Sequence, residues 1–166
     1  MSTLVQLPDI PCAYPDSLGS AKKTGVSNTP TPIAVFRNES SINNLRALLQ
    51  RFDFLPTNPS GDTAVAIQMV PQVEVTGGTW EAILGSELEI NMTPASVSGT
   101  RSALTTYAQA TQAHGNTPAS AGLINMSSEF LGLILPVGMT FAIFAKTESA
   151  GQTVDLLWSV NWLEKD

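Results

Sequence analysis

Cysteine and histidine are almost missing: Cys12 and His114 are the only ones in 166 residues. One cysteine excludes an intrachain disulfide, and nothing here argues for an oxidising compartment. One residue of each type also cannot build the Cys/His clusters that hold zinc. Charge is scarce as well, at 13 % of residues, against about a quarter in an ordinary soluble protein. Basic residues are the rarer sign, eight against fourteen acids, which leaves a net charge of −6. Lys22-Lys23 is the one basic pair. Gripping a phosphate backbone takes clustered cations, so no direct nucleic-acid contact is expected.

Long apolar runs are also lacking. The nearest is FLGLILPVGMTFAIFA, residues 130–145, interrupted by Pro136-Val137-Gly138. A bilayer span needs about 20 apolar residues, so two buried strands joined by a turn are expected there, and no membrane partner. The opening MSTLVQLPDIPCAYPDS has neither a basic start nor a sustained apolar stretch. No secretory leader is expected, and the chain reads as a soluble product of a host cytoplasm.

Thr, Ser, Asn, Gly and Pro fill the space that charge leaves, a mixture suited to β-structure with many turns and a neutral, hydroxyl-rich surface. Three stretches follow one another. Residues 1–32 carry five prolines and no strand or helix period, the makings of an extended N-terminal arm. Leu4, Val5, Leu7, Ile10 and Tyr14 are spaced through it as apolar anchors, for its own body or for a neighbour. Residues 33–62 read as a short strand (IAVF), a helix and a turn. In NESSINNLRALLQRF, residues 38–52, Ile42, Leu45, Leu48, Leu49 and Phe52 recur at three- and four-residue spacing, which predicts a short amphipathic helix. Ser40 or Ser41 would cap it, with Glu39 near the positive end of its dipole. PTNPSGD, residues 56–62, would end it.

From residue 63 to 166 the pattern is β throughout, about eight short strands separated by Gly, Pro and Ser turns with no helix between them. Such spacing predicts an antiparallel β-sandwich or jelly roll. The last segment, VDLLWSVNWLEKD, alternates Val154, Leu156, Trp158, Val160 and Trp162 against Asp155, Ser159 and Asn161. Two-residue alternation of this kind predicts a strand inside a sheet, its tryptophans filling the space between layers. Leu157 and Leu163 break the polar side, so that face is expected to be partly covered too.

Chemistry-bearing constellations are poor. His114 lies in QAHGNTP without a nearby carboxylate, and Cys12 in the proline-rich arm; no G-x-S-x-G marks a nucleophile. Glu81, Glu87, Glu89 and Glu129 are the acids a glycosidase would pair, but ELEI places Glu87 and Glu89 on one strand face, as a solvated face would. DFLPTNPSGD lacks the oxygen spacing of a calcium loop, and Gly77-Gly78 in VTGGTW suits a hairpin turn better than a phosphate loop. Trp80 and Tyr107 are the aromatics suited to stack on a sugar, although core or interface packing is their commoner use. The sequons at Asn38, Asn91 and Asn125 carry no meaning without a secretory route. No enzyme activity, cofactor or metal is expected.

As a whole, the β part resembles a β-sandwich module of structural proteins in tailed bacteriophages. The resemblance rests on Gly77-Gly78-Thr79-Trp80, on Ser98-Gly99, and on LPVGMTFAIFA ahead of SVNWLE, residues 159–164; FRNESSINNLRALL, residues 36–49, is similar to short helical segments of phage head and fibre proteins. It covers about 100 residues of the β part and leaves the arm unmatched. It implies a virion component without catalytic residues. The expectation is a capsid decoration (cement) protein on the outside of the head, binding the major capsid protein, itself a homo-oligomer with a trimer favoured. The alternative is a tail- or head-fibre or spike module for host-surface glycans, which would use Trp80 or Tyr107. Phage fibres of this kind carry long coiled-coil or repetitive stalks, absent here, and that favours decoration.

Overall fold

A computed structural model describes residues 2–6, 22–40, 45–83, 86–99, 104–111, 120–121, 124–127 and 134–165. Among these residues the protein is mainly β, with antiparallel sheets. The strands, in chain order, are β1 (Ser2–Gln6), β2 (Lys22–Val26), β3 (Thr31–Asn38), β4 (Arg46–Thr57), β5 (Thr63–Pro71), β6 (Glu74–Thr76), β7 (Glu81–Ala82) and β8 (Leu88–Asn91). They continue with β9 (Ser96–Ser98), β10 (Leu104–Thr111), β11 (Ser120–Ala121), β12 (Ile124–Ser127), β13 (Ile134–Pro136), β14 (Thr140–Thr147) and β15 (Val154–Lys165).

The first sheet is built on its two twelve-residue strands, β15 and β4, which pair along almost their whole length from Asp155↔Thr57 to Lys165↔Arg46. Both flanks of this central pair are composite. On the free side of β4, β12 pairs with residues 51–54 and β13 with residues 46–48. On the free side of β15, β2 takes the first half, through Val154↔Val26 and Leu157↔Lys22, and β1 takes the second half, from Asn161↔Gln6 to Lys165↔Ser2. Two pieces of the 1–32 stretch are therefore edge strands on the protein's own last strand.

β4 replaces the expected helix. From Arg46 onward the chain is extended, and the pairing register with β15 shifts between Trp162↔Leu49 and Asn161↔Arg51, leaving Gln50 as an extra residue. A bulge of this kind switches which parity faces inward. Ala47 is buried before it, and Phe54 and Pro56 after it. Ala47 and Phe54 thus face inward at odd and even positions of one strand, a change of parity that a simple two-residue alternation does not show.

The second sheet runs β11-β10-β5-β14-β3-β8-β7. β3 and β14 sit side by side near its middle, Phe36 opposite Phe141, and β5 flanks β14 from Phe141↔Pro71 to Thr147↔Val65. Connections repeatedly carry the chain from one sheet to the other: β3 to β4, β4 to β5, β13 to β14 and β14 to β15. Pro136-Val137-Gly138 is one of these corners, with Gly138 at φ +78° and its N–H donating to Asn38 O at 2.7 Å. The strand before it, β13, is only partly buried, since Ile134 is 50 % exposed.

β6 and β9 form a separate two-stranded ribbon, Val75 opposite Val97. Gly77-Gly78 is consequently not a hairpin between successive strands: β6 pairs with β9, and β7 pairs with β8. The two glycines turn the chain beneath residues 91–95. Their φ values are +67° and +76°, and a Cβ on Gly78 would collide with Thr93 O and the Asn91 side chain. Asn91 holds the corner by donating to Gly77 O at 3.0 Å and accepting from Thr93 N–H at 3.0 Å.

One apolar core joins both sheets. Val154, Leu156, Trp158, Val160 and Trp162 of β15 all enter it, together with Ile33 and Phe36 of β3, Val65, Ile67 and Met69 of β5, and Phe141 and Ile143 of β14. Phe36 stacks on Phe141 with centroids 4.9 Å apart and meets Trp158 and Trp162 edge-on at 6.4 and 6.1 Å. This aromatic group bridges the layers. Burying four such rings contributes on the order of 10 kcal/mol of transfer free energy, before conformational entropy is subtracted. The other face of β15 is covered in part as expected, with Leu157 at 8 % and Ser159 at 9 % exposure.

Candidate functional site

The residues read from the sequence as candidates fall in several places. Leu4 and Val5 belong to β1, opposite Leu163 and Trp162. Leu7, Ile10 and Tyr14 lie outside the described residues, as do Cys12, His114 and Glu129. Tyr107 lies in β10, opposite Ala66 of β5.

Trp80 is half-buried against a second, smaller apolar cluster of Val35, Val70, Val73 and Ala142, under the β6–β9 ribbon. The Arg37 guanidinium lies 4.2 Å from the centre of its ring, a cation–π stack. Arg37 is held there by an ion pair with Glu89 of β8, and its other nitrogen reaches Glu39 at 3.8 Å. One face of the indole is therefore occupied by the protein itself. Of the candidate acids, Glu89 is engaged by Arg37, while Glu81 and Glu87 are exposed. Leu88 and Ile90 are buried between and beside Glu87 and Glu89, as the ELEI pattern predicts.

The two acids of β15 do the joining. Asp155, near its start, accepts from Gly25 N–H at 3.1 Å, from Asn58 Nδ2 at 3.0 Å, and from Lys22 Nζ at 3.3 Å. It thereby ties β2, the turn after β4, and β15 together. Burial pushes its carboxyl up, but the bonds from Asn58, Gly25 and Lys22 outweigh that and hold it below the ordinary value of 3.8. Gly25 sits at φ +65°, and the register of β2 on β15 shifts between Val154 and Leu156, beside it. Glu164, near the strand's end, is 6 % exposed. It accepts from Ser86 Oγ–H, from Glu87 N–H at 3.1 Å, and from Trp162 Nε1–H at 3.0 Å.

Asn38 does the same for β3. It is fully buried, donates to Leu45 O at 3.2 Å and Leu135 O at 2.9 Å, and accepts from Ser40 N–H at 3.2 Å. The sequence reading passed over Asn38, Asp155 and Glu164 as site residues. The signal available was a polar residue at the end of an apolar strand, as in VFRN and NWLE.

An apolar cleft lies between the β5 end and the β13–β14 corner, lined by Pro71, Gln72, Ile134, Leu135, Met139 and Phe141. Its interior volume of about 30 Å³ is room for a water or two and far below the hundreds of cubic ångströms of a ligand pocket. Among the described residues no group of three His, Cys, Asp or Glu could hold a metal ion, and no helix is long and apolar enough to cross a membrane. The most distinctive surface is the edge of β15, where residues 154–157 and 161–165 each take a separate strand from the first 26 residues. Comparison with known protein families, with characterised proteins and with solved structures finds no match to this chain.

Proposed function

We propose that this chain is a structural component of a tailed-bacteriophage virion, a capsid decoration protein that binds the outside of the head and stabilises contacts between capsid subunits. In this reading the two facing sheets are a β-sandwich of jelly-roll type, rigid because its longest strands run through the centre of one layer. The protein acts without chemistry: the body is a block, and the N-terminal segment fastens it to neighbours. The observation that carries the reading is the placement of β1, which among the described residues pairs only with the outer edge of β15. A strand held by one ladder can be laid on an equivalent edge of another molecule with little loss of contact. Leu4, Val5, Leu7, Ile10 and Tyr14 are the proposed anchors, the major capsid protein and further copies of the chain, as a homotrimer, the proposed partners. Head-exterior placement also suits the neutral Thr- and Ser-rich composition.

The rival reading, a fibre or spike module that binds host glycans through Trp80 or Tyr107, asks for an open aromatic platform. The Arg37 guanidinium over Trp80 weighs against it.

The test is to purify particles from cells that carry this gene and quantify the chain in them by mass spectrometry. A fixed copy number per particle, in simple ratio to the major capsid protein, is the expected result, with loss of the chain lowering the temperature at which heads release DNA. Particles that lack the chain overturn the proposal.

A further inference from the structure

We propose that Met139 is a modification site: a peroxide converts its thioether to the sulfoxide in the folded protein, and Gln72 holds the added oxygen. Met139 stands at the corner between β13 and β14, half-buried, and lines the apolar cleft together with Pro71, Gln72 and Ile134. The rim of the cleft meets water at Ile134, which is 50 % exposed. Met139 Sδ accepts from Gln72 Nε2–H at 3.7 Å, a weak bond because a thioether is a poor acceptor. Both residues are fixed by their backbones. Gln72 follows β5 at φ +55°, uncommon for a residue with a side chain, and its N–H donates to Thr140 O at 2.7 Å. Met139 N–H donates to Pro136 O at 3.2 Å, and Met139 O accepts from Asn38 N–H at 3.1 Å. Met69, by contrast, lies in the core at 0 % exposure.

The step needs a peroxide and no other reactant. A sulfur lone pair attacks one peroxide oxygen, and the O–O bond breaks as the S–O bond forms. The departing hydroxide takes the proton of the transferred hydroxyl and leaves as water. Sulfur loses two electrons and the peroxide gains them. The cleft's volume of about 30 Å³ is room for a water, so one added oxygen fits without displacing the core. There it lies beside Gln72, which lines the same cleft. A sulfoxide oxygen accepts far better than a thioether, so a donor that is poorly used before oxidation is well used after it. In an ordinary apolar site the same oxygen would be an unpaired polar group and would disrupt the packing. Oxidation turns this apolar cleft polar, and reduction of the sulfoxide restores it. The proposal does not depend on the virion reading.

The full folded chain is exposed to hydrogen peroxide, and each methionine is followed by peptide mass spectrometry. Met139 is expected to gain one oxygen at least about ten times faster than Met69, because a buried thioether reacts only when the fold opens. A Met139 that stays reduced until Met69 reacts overturns the proposal. Urea unfolding tests the retention by Gln72. Met139→Leu, nearly volume-conserving, removes the reaction at this position and keeps every other one, so the difference between the two oxidised chains belongs to residue 139. Each chain is compared with its own reduced form. Oxidised wild type is expected to lose no more stability than oxidised Met139→Leu. With Gln72→Leu, oxidation at Met139 should lower the urea midpoint by about 0.5 M, the loss of roughly one hydrogen bond. A wild-type midpoint lowered as much by oxidation at Met139, or a Gln72→Leu chain no more sensitive than wild type, also overturns the proposal.

Discussion

Glu164→Ala tests how the last strand closes the fold. The carboxylate takes three donors, from Ser86, Glu87 and Trp162, and is 6 % exposed. Ser86 is half-buried and Glu87 exposed, so water replaces the carboxylate at both. Trp162 is 0 % exposed, and its indole N–H is left without an acceptor. An orphaned buried donor costs about 1–3 kcal/mol, and relief of the carboxylate's own desolvation offsets part of it. The expected net loss is about 2 kcal/mol. With a urea slope of about 1–3 kcal/mol per molar, the unfolding midpoint should fall by about 1 M. Glu164→Gln keeps a carbonyl oxygen for the indole and should lose about half as much. Urea unfolding followed by tryptophan fluorescence and far-ultraviolet circular dichroism measures both variants. A Glu164→Ala protein as stable as wild type, or a Gln variant as damaged as the Ala variant, refutes the reasoning.

Three further outcomes are expected. Asn38→Ala strips partners from Leu45 O, Leu135 O and Ser40 N–H in a fully buried place, and should cost about 2–4 kcal/mol in the same assay at about 1 kcal/mol or more per broken bond. Gly78→Ala and Gly138→Ala share a left-handed backbone, φ +76° and +78°, but only the first would meet the Thr93 carbonyl and Asn91. Gly138→Ala should show the backbone penalty alone, about 1–2 kcal/mol; Gly78→Ala should lose clearly more, and equal losses contradict the crowded corner. Asp155 has a folded pKa below 3.8, so its contribution is fully present above that value and disappears as pH falls through the lower, folded one. Its ¹³C carboxyl signal should titrate below 3.8, and Asp155→Asn should flatten the acid limb of thermal stability against pH; an unchanged acid limb is evidence against the Lys22–Asn58–Asp155 link.

Legibility in the sequence varied with how local the cause was. β15 was readable because five alternating apolar residues need no knowledge of partners, and all five are in the core. β8 and β14 were readable from equally local signals, the alternation of ELEI and the short apolar run TFAIFA. β4 was not, because a bulge at Gln50 is a property of its pairing with β15 and breaks the two-residue alternation by which a strand is recognised. The Gly77-Gly78 corner misled in a similar way. The glycines were correctly read as a turn, but whether a turn closes a hairpin depends on which strand comes back, here β9 from twenty residues on. Asn38, Asp155 and Glu164 were invisible because a polar residue beside an apolar strand looks the same whether it meets water or three buried donors.

The pairing of the first strand with the last has a consequence for assembly. Ser2 lies opposite Lys165, so the receiving edge of β15 is synthesised after every other strand, and the ladder with β1 is among the longest-range contacts the chain makes. Long-range pairings form late, because loop closure must be met before they contribute. Until then β1 has no edge to occupy, so it joins a sheet whose centre, the β15–β4 pair, is already in place.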